Sequence, residues 1–216
     1  MIRGAANGRP QDRETFARRY EPVVRAYLGA RWRRSPMIDD VDDAVQEVFV
    51  ECFREGGALG RLDPDRGGFR AFLYGVVRNV ARRHETRRAR AQGREDAGAG
   101  VDSQHDAGDE ALSSLFDRAW GMSLLRQAVA QHRRLAEEKG EAWQRRLEVL
   151  RLRFEQDLPI RTIAERWGMP APRVHKLYAQ GRDDFKRVLL DVVAWHLPED
   201  HHAVEAEAKR LLQGFL

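Results

Sequence analysis

The stretch Arg161-Thr-Ile-Ala-Glu-Arg-Trp-Gly-Met-Pro-Ala-Pro-Arg-Val-His-Lys-Leu-Tyr178 decides how the second half of the chain folds, because it reads as two short helices joined by a tight glycine turn. Ile163, Ala164 and Trp167 give the first helix an apolar face at three- and four-residue spacing. Gly168 suits the left-handed conformation that ends a helix, and Pro170 or Pro172 can open the next. The second helix then turns Val174, Leu177 and Tyr178 inward and leaves Arg173, His175, Lys176 and Gln180 outward, side chains that suit phosphates and base edges in a major groove. This is a helix-turn-helix signature. An ordinary helical hairpin stands beside DNA binding as a reading of this segment alone.

Working outward, apolar residues keep helical spacing wherever they occur, and no alternating strand pattern is found, which predicts an all-α protein. Phe16, Tyr20, Val23, Val24, Tyr27 and Leu28 mark one helix; Val41, Val45, Val48, Phe49, Cys52 and Phe53 mark a second, from about Asp39 to Arg54. After a loop over Gly56 to Gly68, a third runs from about Phe69 to Arg88, with Phe69, Phe72, Leu73, Val76, Val77 and Val80 on its apolar face. Between Gln92 and Ala111 the composition turns to Gly, Ala, Ser, Asp and Glu, too poor in large apolar groups to repay the entropy of ordering. Two small helical domains are therefore expected, at 10–91 and 113–194, joined by a flexible acidic linker at 92–112 and followed by an amphipathic C-terminal extension at 195–216. The second domain opens with a helix from roughly Ser113 to Glu138, and the extension forms a short helix with Val204, Ala208, Leu211, Leu212 and Phe215 on one side.

The chain has 216 residues, 33% of them charged, with a net charge of +4. Only four of the 38 basic residues are lysine, an arginine bias that genome composition explains as readily as phosphate recognition. Cys52 is the single cysteine, which excludes a disulfide framework and points to a reducing compartment. No apolar run approaches bilayer length and the first residues carry no hydrophobic leader core, so a cytoplasmic protein without membrane insertion is expected.

The charges are not evenly spread. On the second helix the outward positions Asp39, Asp40, Asp42, Asp43, Glu47 and Glu51 are all acidic, well past the first turn that the helix dipole would favour. Such a face will not touch DNA and implies a basic protein partner. The third helix ends instead in Arg78, Asn79, Arg82, Arg83, Arg87, Arg88 and Arg90, a surface fit for nucleic acid. Aromatic groups among these arginines suit unstacked bases. Phe72 and Leu73 read as core, whereas Phe69 and Tyr74 are open between core and base contact.

Three motifs in this order, Asp39-Asp-Val-Asp-Asp-Ala-Val-Gln-Glu-Val-Phe49, Phe69-Arg-Ala-Phe-Leu-Tyr-Gly-Val-Val-Arg-Asn-Val-Ala-Arg-Arg83 and the helix-turn-helix, resemble bacterial RNA polymerase sigma factors of the extracytoplasmic-function type, in the sigma-70 family, over about Phe16 to Leu190. The resemblance implies a sigma-2-like bundle and a sigma-4-like helix-turn-helix domain. It implies docking on the beta-prime clamp helices of core RNA polymerase through Asp40, Asp43, Gln46 and Glu47, and a beta-flap contact as well. The minus-ten promoter element would be read and opened by Arg61, Asp63, Arg66, Phe69, Tyr74, Arg78, Asn79, Arg82 and Arg83, and the minus-35 element read as duplex by Arg173, His175, Lys176, Gln180 and Arg182. An anti-sigma factor or other regulator is a further partner of such proteins. Gly181 departs from the family by interrupting a stretch usually rich in arginine and alanine.

Two rival readings share the helix-turn-helix: a one-component regulator, which leaves the acidic face unexplained, and a sigma mimic that sequesters an anti-sigma partner, which need not keep the base-reading arginines. No nucleophile-base pair or phosphate-binding loop is visible, so no enzyme and no cofactor is expected. His196, His201 and His202, with Glu199, Asp200 and Glu205 nearby, lack the spacing of a zinc site, and no metal is assigned to them.

Overall fold

Phe16, Tyr20, Val23, Val24, Tyr27 and Leu28 are all fully buried, so the three- and four-residue spacing does set the inner face of helix α2 (Pro10–Arg31), which opens on a proline where no ladder hydrogen bond is lost. In the computed structural model, residues 2–61, 68–91, 93, 106–196 and 201–213 are described. Among them the chain forms nine α-helices and no strand, as an all-α protein should. The described residues divide into two compact units, with the boundary between Ser123 and Leu124.

In the first unit a short helix α1 (Ile2–Ala6) precedes α2, and a 3-10 turn at Pro36–Asp40, its first amide capped by the Ser35 hydroxyl, leads into α3 (Val41–Phe53). Val41, Ala44, Val45, Val48 and Cys52 form the buried side of α3. Helix α4 (Gly68–Ala91) buries Phe69, Leu73, Val76, Val77 and Val80. It is stapled to the end of α2 through Glu85, whose carboxylate accepts from Arg31 Nε at 2.7 Å and from Trp32 Nε1 at 2.9 Å.

Helix α5 (Asp106–Lys139) begins upstream of the Ser113 that periodicity indicates, inside the stretch expected to be a tether; residues 94–105 of that stretch lie outside the described residues. Two contacts order this start. Asp109 accepts from Arg78 at 2.5 Å and from Arg31 at 3.4 Å, replacing solvent with two guanidinium groups. Two and three turns later Phe116 and Trp120 are buried in an aromatic cluster, with Trp120 stacked on Tyr20 and Phe116 edge-on to Tyr27 and Tyr74.

In the second unit, the rest of α5 is followed by α6 (Glu141–Phe154), α7 (Ile160–Trp167), α8 (Ala171–Ala194) and α9 (His201–Gln213). Val149, Leu152, Ile163, Ala164 and Val174 form one core cluster, with Trp167, Leu177 and Tyr178 packed on it. Helix α6 crosses α8 at Gly181, where an added Cβ would stand 2.8 Å from the Arg146 carbonyl oxygen. The departure from the arginine- and alanine-rich pattern is therefore a packing requirement. One turn on, the buried Asp184 carboxylate is matched by Arg146 at 2.9 Å and Arg187 at 2.8 Å. Helix α9 packs on α8 with Val204, Ala208 and Leu211 buried, so its apolar stripe is covered within the unit; Phe215 lies outside the described residues.

Candidate nucleic-acid interface

Helix α4 presents its basic end unevenly. Asn79 and Arg82 are exposed, and Arg82 makes no ion pair among the described residues. Arg83 is half-exposed and is shared between Glu47 at 3.1 Å and Glu51 at 3.3 Å. Arg78 is turned to Asp109 of α5, and its Nε is buried. Two residues expected among the base contacts are placed differently. Phe69 is buried, packed against Phe16, Tyr20, Phe72 and Trp120, because α5 brings in an indole that the local sequence does not announce. Tyr74 is half-buried, with its ring edge-on to Tyr27 and Phe116 at 5.6 and 5.2 Å. Arg61 is exposed at the end of a 3-10 turn, Ala58–Arg61, while Asp63 and Arg66 fall outside the described residues.

The acidic face of α3 is real but is not a row of free carboxylates. Asp43 and Gln46 are exposed, and Asp43 makes no ion pair among the described residues. Asp40 accepts from Arg88 at 2.9 Å, and Asp42 pairs with Arg25. Glu47 lies between Arg83, His84 Nε2 at 2.8 Å and Arg87 at 2.9 Å. Partial burial raises its pKa, but the hydrogen bonds from Arg87 and His84 outweigh that and hold the carboxyl below its ordinary value. The expected uninterrupted face is thus partly neutralised from α4. Reading the charge pattern also missed Val50 on α3 and Ile38 in the 3-10 turn before it, which are 63% and 42% exposed and add apolar area. Their polar neighbours hid them from a search that followed charge.

The helix-turn-helix is formed as its local signals indicate. Gly168 sits in the left-handed region at φ 60°, and the amides of Gly168 and Met169 return to the carbonyls of Glu165 and Ala164. Pro170 then caps α8, and Pro172 sits in its first turn, where a missing amide costs nothing. Arg173, His175 and Lys176 are brought together on the exposed first turns of α8; Gln180 is half-buried, and Arg182 is exposed with its guanidinium 5.7 Å from the Tyr178 ring centre. Of the three histidines considered for a metal, His196 is buried with Nδ1 2.7 Å from the Val192 carbonyl oxygen, and the side chains of His201 and His202 lie outside the described residues.

The first unit thus carries an acidic helix and an arginine-rich helix side by side, and the second unit, taken by itself, carries a helix-turn-helix. Comparison with protein families brings this closer: residues 16–91 match the family described as sigma-70 region 2, a span that holds α3 and α4 entirely. Over that span, 76 of the 216 residues, the chain is similar to region 2 of the sigma-70 family. Comparisons with curated proteins and with solved structures find no match. Among the described residues no helix is long and apolar enough to cross a membrane.

Proposed function

We propose that the chain is a sigma factor of the extracytoplasmic-function type, acting in the cytoplasm, which carries core RNA polymerase to a promoter and opens it. The observation that carries this reading is the region 2 match over both charged helices, together with a second unit that contains a well-formed helix-turn-helix. In this proposal residues 10–91 form the polymerase-binding and minus-ten domain, and residues 113–194 form the minus-35 domain. Asp43 and Gln46, exposed at the start of α3, meet the clamp helices first, with Asp40 and Glu47 behind them. Asn79, Arg82 and Arg83 hold the opened minus-ten strand, and Arg61, Asp63 and Arg66 approach it from the loop before α4. Arg173, His175, Lys176, Gln180 and Arg182 read the minus-35 duplex, while the same unit meets the beta flap. An anti-sigma factor or another regulator would act by covering one of these surfaces.

The test is capture of core RNA polymerase by the purified chain, followed by transcription from a candidate promoter. Replacing Asp40, Asp43 and Glu47 together by lysine should abolish capture while leaving the helical circular dichroism unchanged. Unaltered polymerase affinity in that folded variant would sink the docking assignment.

A further inference from the structure

We propose that the carboxylates of α3 hold the outer arginines of α4 back from nucleic acid, and that a basic protein partner docking on α3 releases them. The inference rests on the docking and promoter roles proposed above. Seven arginines lie on α4, and five of them stand in ion pairs, leaving Arg82 and Arg90 without one among the described residues. Arg70 and Arg78 pair with Asp117 and Asp109 of α5 and belong to the packing of the unit. The other three, Arg83, Arg87 and Arg88, lie towards the exposed end of the helix, and α3 supplies every carboxylate they meet or, for Arg88, the aspartate that immediately precedes it.

Glu47 is the node of this lattice, with Arg83 at 3.1 Å, Arg87 at 2.9 Å and His84 at 2.8 Å, while Asp40 holds Arg88 at 2.9 Å. Asp40 and Glu47 are also two of the four residues assigned to polymerase docking. A cation of the partner brought to Glu47 lies beside guanidinium groups already gathered there. Like-charge repulsion then favours turning Arg83 and Arg87 out towards a phosphate. The pairs are half-exposed, with Arg83 and Arg87 side chains 45% and 62% accessible, and such pairs are individually weak, which a displaceable contact requires. Coupling of this kind is reciprocal, so DNA on α4 strengthens the grip of the partner on α3.

The experiment uses the free 216-residue chain and a short fluorescein-labelled single-stranded DNA, with binding read by anisotropy over a salt series. The lattice variant is Asp40→Asn with Glu47→Gln. Its control, Asp39→Asn with Glu55→Gln, removes the same charge from two exposed carboxylates that make no ion pair among the described residues. The lattice variant should bind several-fold more tightly than the control, and its salt slope should steepen by about 0.7 for each arginine recruited to a phosphate. Asp40→Asn alone and Glu51→Gln alone, each loosening one arginine of α4 (Glu51→Gln also frees Arg54 at the C-terminal end of α3), should give part of the same gain and guard against a double variant that misfolds. Equal gains in lattice variant and control, or no gain in a lattice variant of unchanged helicity, overturn the gating. Failure of polymerase capture by the wild-type chain would instead overturn the docking role and leave these DNA measurements standing.

Discussion

Trp120 lies flat on Tyr20, with ring centres 5.6 Å apart and planes within 7° of parallel. The pair joins residues a hundred positions apart in the chain and makes the start of α5 a wall of the first unit. Both rings are almost completely buried, and the neighbouring Ser123 hydroxyl donates to the Arg19 carbonyl at 2.9 Å, so the contact is pinned at two successive turns of α5.

Trp120→Ala should therefore destabilise the first unit by about 3–5 kcal/mol, the usual cost of emptying a large aromatic site. Hydrogen exchange at the α2 amides in the full chain is the direct check. Unchanged protection there would mean that α5 belongs to the second unit alone.

Gly181→Ala should cost about 1–3 kcal/mol, because the new methyl group meets backbone of α6 and Leu150 rather than a yielding side-chain tip. Gly75→Ala makes the contrast: nothing lies within 4 Å of its added Cβ in α4, and relief of glycine's entropic cost should stabilise by about 0.5–1 kcal/mol. Thermal melts of the two variants should move in opposite directions.

Acid should unsettle the two units in different windows. In the second unit burial lowers the His132 pKa from its ordinary 6.5, against the pull of Asp184 and with the push of Arg146. A buried neutral imidazole must charge in acid, so its contribution is complete above the unfolded value of 6.5 and is lost as pH falls through the lower folded value. In the first unit partial burial raises Glu47 and Asp109, but their arginine partners, with His84 also acting on Glu47, leave both below their ordinary 4.5 and 3.8. Their contribution is full above those values and disappears only at lower pH. Melts followed by tryptophan fluorescence should show the second unit weakening first, and His132→Phe should remove that early step without moving the later one.

Arg82→Ala should impair promoter opening, read by permanganate reactivity of thymines, more than it impairs closed-complex formation. Arg78→Ala should act differently: loss of its pair with Asp109 loosens the start of α5 and lowers stability before it alters opening. Identical profiles for the two variants would contradict the division of α4 into an outer and an inner set of arginines.

What could be read from the sequence was what is local. The helix-turn-helix is legible because Gly168, Pro170 and the Val174 periodicity act within a few residues of one another. The same holds for α2, whose six inner residues are all buried. The start of α5 was hidden because Asp109 finds Arg31 across 78 positions, and composition around Asp109 signals only a solvated tether. Phe69 stood open for a related reason: its neighbours in sequence are a base-reader's, whereas its neighbours in space are Phe16, Tyr20 and Trp120. The acidic face of α3 was visible as charge, but its partial neutralisation depends on how α4 lies beside it, which no single-helix pattern carries.

The buried Cys52 gives the chain a silent thiol. Its sulfur is enclosed in α3, and burial pushes its pKa up to about 12, so little thiolate is present at neutral pH and none is within easy reach of a reagent. A cysteine placed on the surface of either unit would then be the one that labels under native conditions, without the wild-type residue having to be removed first. Modification of Cys52 itself would need the first unit to open. The rate at which it reacts is thus a clock for that opening, one that could be read with and without polymerase or DNA on a chain bearing no substitution at all.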